Sequence, residues 1–125
     1  MADYLRFLLK KRAFSADVRA FAKATMDWVN RRCDGVGPRF YRAAGIDKTT
    51  YSKIVSHPES YRPSKETVLR MALAFQLSLA DATSYLGLAG FALSPSIPAD
   101  RVWAACFERG VYRREEVESL LAELG

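Results

Sequence analysis

The sequence has little of what catalytic and metal sites are commonly built from. His57 is its only histidine, so a catalytic triad or a zinc site with a histidine pair cannot be assembled. The glycine-containing segment GVG at 35–37 follows a helical pattern rather than a strand, which is the wrong context for a phosphate-binding loop. Glu115, Glu116 and Glu118 are interpreted as the solvated start of a helix, not as paired catalytic acids. We therefore expect no enzymatic activity, no metal and no cofactor.

Cysteines and long apolar runs are also scarce. The two cysteines, Cys33 and Cys106, lie far apart without CxxC spacing, which is typical of free, partly buried thiols in a reducing compartment. No apolar run approaches the roughly 18 residues of a membrane span. In the opening stretch MADYLRFLLKKR the charges follow the apolar residues, the reverse of a signal peptide. We expect a cytoplasmic protein without a membrane partner.

The charge is distributed unevenly along a chain of ordinary globular composition. The 125 residues are 50% hydrophobic and 26% charged, which suits one domain with a real core. Residues 1–62 carry 13 Lys/Arg against 6 Asp/Glu, a net charge of +7. Residues 63–125 carry 6 against 8, a net charge of −2. This asymmetry favours a surface that faces a polyanion, although a merely solvated surface has the same composition.

The hydrophobic pattern predicts an all-α protein. No segment alternates with period two, and no dipeptide indicates a hairpin. Apolar residues instead recur at spacings of three and four, which predicts about seven helices. We expect a single helical domain over 1–125. Its predicted parts are two N-terminal helices in 1–33 (over 3–12 and 16–33), a core in 38–90, and a C-terminal helical extension in 98–125. Ser15, Ser64 and Ser78 are the expected N-caps of three helices, and Pro98 and Gly110 the expected start and end of another. The expected core sides are Val68, Leu69, Ala72, Leu73 and Phe75 in the helix after Ser64, and Val117, Leu120, Leu121 and Leu124 in the last helix.

The central stretch RFYRAAGIDKTTYSKI, residues 39–54, predicts two short helices around a tight turn. Gly45 is the pivot, because glycine adopts the positive φ that ends a helix. Asp47 is the expected N-cap of the second helix, with Ile46, Tyr51 and Ile54 turned toward the core. The remaining side chains of that helix are expected to point outward: Lys48, Thr49, Thr50, Ser52 and Lys53. Hydroxyls and lysines without an acid are the groups that a major-groove reader needs.

From Phe40 to about Leu88 this pattern resembles the lambda-repressor/Cro (XRE-like) helix-turn-helix class. FYRAAGIDKTTYSKI matches its two motif helices, and RPSKETVLRMALAFQLSLADATSYLG is similar to its fourth and fifth helices. With YLGLAGFALSPS, the resemblance extends over 38 to about 120 and points to a group of small bacterial helix-turn-helix proteins. It implies a lambda-repressor-like bundle with extra N- and C-terminal helices.

The resemblance also implies a division of labour among the polar residues. The exposed helix face Lys48–Lys53 would read base edges in the major groove. Phosphate contacts would come from two further groups of side chains: Arg39 and Arg42 before the turn, and Arg62, Ser64 and Lys65 at the start of the next helix. Two departures weaken the DNA assignment but leave the fold assignment intact. Tyr41 replaces a small alanine, and Gly37–Pro38 replaces the glutamine that commonly opens the first motif helix.

The function that the resemblance implies is sequence-dependent binding of double-stranded DNA, in a bacterial or phage transcriptional regulator. A homodimer on a near-palindromic site is expected, since one reading helix covers few base pairs. The slightly acidic C-terminal helices are the expected dimer surface, because they add no phosphate affinity. The alternative is a protein-interaction module, an antitoxin-like component of a bacterial defence or toxin-control system.

Overall fold

The computed structural model describes residues 18–124, and that part of the chain is all-helical with no strand. Its helices, numbered in chain order, are α1 over residues 18–32, α2 (Gly37–Ala44), α3 (Lys48–Ser56), α4 (Lys65–Ala74), α5 (Leu79–Leu88), α6 (Pro98–Arg109) and α7 (Arg114–Ala122). The all-α prediction is thus confirmed. The predicted helix over 3–12, and the predicted cap at Ser15, lie outside the described residues.

Three helices begin at side chains that cap them. Asp47, Ser64 and Ser78 each accept the backbone N–H three residues ahead, at 2.6, 3.1 and 3.1 Å. Each bond satisfies one of the donors that the first helical turn leaves without a partner. The N–H donated by Thr50 also holds the pKa of the Asp47 carboxyl below its usual value. The predicted starts of α3, α4 and α5 are therefore confirmed.

Glycine and proline fix three other boundaries in the predicted way. Gly45 and Gly110 end α2 and α6 in the left-handed region, at φ 70° and 73°. Pro98 occupies the first turn of α6, where its missing N–H breaks no helical bond. These signals act within a few residues, which is why sequence alone located them.

The core lies between α1, α2, α4, α5 and α6. Its centre is aromatic: the Phe40 and Phe75 rings stack at 4.5 Å, and Tyr85 meets Phe75 edge-on at 5.8 Å. α4 is buried along most of its length and packs against both α2 and α5, while α6 packs against α5 and α7. The apolar residues predicted to line the core side of α4 are all buried: Val68, Leu69, Ala72, Leu73 and Phe75.

Some predicted core positions are less buried than expected. Ile46 and Tyr51 are only half-buried, although Ile54 is fully buried. In the predicted α7 stripe, Val117 is buried, but Leu120 and Leu124 are 37% and 49% exposed. The physical reason is that α7 packs mainly on α6. The apolar stripe of α7 winds around its axis, so a single neighbouring helix covers only part of it.

Both cysteines are free, as predicted, and they are buried more completely than expected. Burial raises the pKa of each thiol, which keeps it in the poorly reactive protonated form. Within residues 18–124, no helix is long and apolar enough to cross a membrane.

Candidate functional site

The surface of α3 carries the polar face predicted from the sequence. Lys48, Thr49 and Ser52 are exposed, and so is Lys53. Thr50 differs from them because it is half-buried and its backbone N–H is bonded to the Asp47 carboxylate. We call Lys48, Thr49, Ser52 and Lys53 the α3 face. It combines two cations with two hydroxyls, and the segment KTTYSKIVS that forms α3 contains no acid.

The bulky Tyr41 is accommodated between the helices that frame the turn. Its ring lies 5.8 Å from the Tyr51 ring, which in turn lies 5.6 Å from Phe40. Gly37 makes room for this cluster, since a Cβ on Gly37 would come within 3.2 Å of the Tyr51 ring. Tyr41 and Gly37 are the two departures from the pattern of the helix-turn-helix class that the chain resembles. Both therefore lie next to the Tyr51 ring, which joins α2 to α3. The sequence alone does not connect them, because nothing in it places Tyr51 against both.

Lys53 is exposed, but its ammonium has a neighbour. Its Nζ lies 5.6 Å from the centroid of the Tyr61 ring, within the range of a cation–π contact. At an exposed position such a contact is worth about 0.5–1 kcal/mol, which leaves the ammonium free to move to a better partner. Tyr61 itself is half-buried over its loop.

Two of the predicted phosphate ligands, Arg39 and Ser64, are exposed, and the polar group of each bonds another residue of the protein. Arg39 forms an ion pair with Asp34 at 2.7 Å, and both side chains are exposed. Exposed pairs of this kind contribute about 0–1 kcal/mol, so a phosphate could compete for this guanidinium. Ser64 is held as the cap of α4, where its hydroxyl also bonds the Thr67 hydroxyl at 3.0 Å. Arg62 is exposed in the link before α4.

Lys65 has a structural partner that the sequence did not reveal. Its Nζ lies 2.7 Å from Oδ2 of Asp100, a carboxylate only 6% exposed. The backbone N–H of Ser94 donates to the same oxygen at 2.8 Å. Burial by itself would raise the pKa of Asp100, but the bonds from Lys65 and Ser94 outweigh it and lower the pKa. The Lys65 ammonium thus neutralises a buried acid in α6.

Arg42, one of the predicted phosphate ligands, is exposed in the last turn of α2. It lines an open cleft of about 320 Å³ together with Arg70 from α4 and Arg114 from α7. We call this the arginine cleft. Gln76, Tyr112 and Glu115 also line it. No sequence signal connects arginines at positions 42, 70 and 114, because only the packing of three helices brings them together.

The C-terminal helices carry an apolar groove of about 430 Å³, which we call the α6–α7 groove. Its apolar walls come from both helices and include Val102, Ala105, Leu120 and Leu124. Arg109 and Glu123 line the same groove, so one positive and one negative side chain flank its apolar surface.

Residues 18–124 contain no group of three or more His, Cys, Asp or Glu side chains arranged to hold a metal ion. Comparisons of the chain with family models, with curated proteins and with solved structures give no match. The resemblance drawn from the motif residues therefore remains an expectation, and the function has to be inferred from the surface itself.

Proposed function

We propose that this protein binds double-stranded DNA in a sequence-dependent manner and regulates transcription. The observation that carries the proposal is the α3 face, where exposed lysines and hydroxyls follow directly after a tight turn. A helix of this kind enters the major groove with its first turns toward the bases. Lysine is suited to guanine O6 and N7, and hydroxyls adapt to either donors or acceptors.

In this mechanism the flanking cations hold the protein to the phosphate backbone and carry no sequence information. Arg39, Arg62 and the start of α4 at Ser64 supply these contacts. Lys65 and Arg42 contribute less than the resemblance implies. The Lys65 ammonium is paired with Asp100, and Arg42 belongs to the arginine cleft.

The proposal includes a homodimer, because a single short helix reads too few base pairs for useful selectivity. A second copy of the chain suits the α6–α7 groove on grounds of charge. Arg109 and Glu123 border one apolar surface, and a two-fold axis that passes between them would bring each Arg109 toward the partner's Glu123. Leu120 and Leu124 would then lose their exposure to water.

Binding of genomic duplex fragments over a range of salt concentrations tests the proposal. The logarithm of affinity should fall linearly with the logarithm of salt, with a slope of about −0.9 per phosphate bound. Replacing Lys48 and Lys53 together by alanine should weaken binding of the selected sequence by about 1–3 kcal/mol for each lysine that reads a base. The matched control replaces Lys23 and Arg101, two exposed cations on α1 and α6, and should change affinity far less.

Equal loss of affinity in the two double variants would show that general charge, not the α3 face, binds DNA. Absence of salt-dependent duplex binding in the unaltered protein would favour the protein-interaction alternative. Selection from genomic fragments would also give the half-site and its spacing in one experiment.

A further inference from the structure

We propose that the arginine cleft is a binding site for a phosphate group, and that its occupant is a small phosphate monoester. This proposal goes beyond DNA binding, because the cleft contains none of the residues of the α3 face. Three arginines from α2, α4 and α7 line one cleft: Arg42, Arg70 and Arg114. Like charges gathered in one place repel each other, and an anion between them relieves that repulsion.

The acids near the cleft form only weak ion pairs with its arginines. Arg70 pairs with Glu66 at 2.8 Å in an exposed i,i+4 contact, a kind that contributes about 0.3–0.5 kcal/mol. Arg114 and Glu118 are 3.9 Å apart, which is too far for a hydrogen bond. Among the described residues that line the cleft, Glu115 is the one acid against three arginines. A dianion therefore has cations to bind without first breaking a strong pair.

The donors at the cleft suit a phosphate in chemical type as well as in charge. Each guanidinium presents a planar fork of N–H groups that matches two phosphate oxygens. The first turn of α7 borders the cleft at Arg114 and Glu115, and within the described chain its N-cap residue, Arg113, makes no side-chain cap. Backbone N–H groups of that turn add to the donors that the arginines supply.

The size of the cleft indicates a small occupant. About 320 Å³ is at the lower end of the range of small-molecule sites, roughly 300–1,000 Å³. This space accommodates a phosphate with a small organic group. Tyr112, whose hydroxyl donates to the carbonyl of Leu77 at 2.8 Å, gives the cleft a partly apolar wall for that group.

The cleft also touches the turn that leads into α3. A Cβ built on Gly45 would overlap the Arg114 guanidinium, so Arg114 lies directly against the turn between α2 and α3. An anion that fixes Arg114 would thereby restrict the turn next to the α3 face. The binding claim does not depend on this connection or on DNA.

The test is a titration of the ¹⁵N-labelled full chain with phenyl phosphate, followed by amide NMR shifts at low ionic strength. Saturable shifts are expected at Ala43, Gln76 and Glu115, with none from phenol at the same concentrations. Arg114→Gln and Arg70→Gln should each weaken binding about tenfold, the effect of losing one charge-assisted bond of about 1.4 kcal/mol. Arg101→Gln, which removes a charge of the same sign at an exposed position on α6 outside both the cleft and the α6–α7 groove, should change affinity less than about twofold.

A second titration, with a short duplex, separates the two sources of phosphate. Cleft shifts with phenyl phosphate establish a free-ligand site. Cleft shifts with the duplex alone would reassign the cleft to the DNA backbone and overturn the small-ligand proposal. Equal weakening by Arg101→Gln, or phenyl phosphate shifts that avoid the cleft in a protein with an unchanged spectrum, would overturn it as well. Failure of duplex binding leaves the phenyl phosphate result intact, so the two proposals fail separately.

Discussion

At the scale of single residues, the most constrained polar contact in the core joins Thr25 and Tyr85. Both are fully buried, and their hydroxyl oxygens are 2.6 Å apart. The Thr25 hydroxyl donates to the carbonyl of Phe21 at 2.8 Å, so the Tyr85 hydroxyl must donate to Thr25. Burial raises the pKa of Tyr85, which keeps this donor protonated over the whole working range of pH.

This direction of donation makes the two substitutions unequal. Thr25→Val leaves the Tyr85 hydroxyl buried without a partner and should cost about 1–3 kcal/mol of unfolding free energy. Tyr85→Phe leaves Thr25 bonded to Phe21 and should cost less, about 1 kcal/mol. Urea unfolding followed by circular dichroism measures both. Thr83→Val is the control, because Thr83 makes the same bond to a carbonyl four residues earlier but is exposed. Equal destabilisation by Thr25→Val and Thr83→Val would contradict the assignment.

At the scale of helices, the Lys65–Asp100 pair connects the start of α4 to the first turn of α6. The backbone N–H of Ser94 joins the link before α6 to the same carboxylate. Residues 65 and 100 are 35 positions apart, so the pair fixes how two helices pack rather than how either one forms. Removing one partner of such a pair is costly because the other charge stays partly buried.

The pair predicts a dependence of stability on pH. Since folding lowers the pKa of Asp100, its stabilisation is complete above the unfolded value of about 3.9. It is lost as the pH falls through the lower pKa of the folded state. Asp100→Asn should cost about 1–3 kcal/mol at neutral pH and flatten the acid side of the stability profile.

Urea unfolding at a series of pH values from about 2 to 7 measures this effect. Asp81→Asn is the matched control, because Asp81 occupies the first turn of α5 but is exposed. Parallel profiles for the unaltered protein and Asp100→Asn would show that the pair does not control acid stability.

At the scale of the whole molecule, the proposed homodimer depends on the α6–α7 groove. Replacing Leu120 and Leu124 together by serine should shift the protein toward monomer, because apolar area that a partner would cover is removed. Sedimentation equilibrium over a range of concentrations measures the shift. Met26 and Val36, 51% and 46% exposed outside the groove, provide the control double replacement.

The charges at the groove give a sharper version of this test. Arg109→Glu should weaken the dimer by bringing like charges together, and so should Glu123→Arg. The two changes combined should restore association if each Arg109 faces the partner's Glu123. A dimer unaffected by any of these changes would place the interface elsewhere, and capture of a different protein by the groove would replace the second copy as its occupant.

What the sequence determined by itself was local. Helix starts at Asp47, Ser64 and Ser78 and the helix end at Gly45 followed from hydrogen bonds and backbone angles that reach only three or four residues. The all-α class and the buried side of α4 followed from periodicity, which is also a local property. The outward direction of Lys48, Thr49, Ser52 and Lys53 followed from the same periodicity.

What only the tertiary structure decided were contacts between distant parts of the chain. It paired Lys65 with Asp100, joined Thr25 to Tyr85, and gathered Arg42 with Arg70 and Arg114. No periodicity encodes such contacts, because they depend on the angle and offset at which separate helices pack. The sequence placed Arg42 and Lys65 among the phosphate ligands by their position in a motif. Helix packing instead pairs Lys65 with Asp100 and places Arg42 in the arginine cleft.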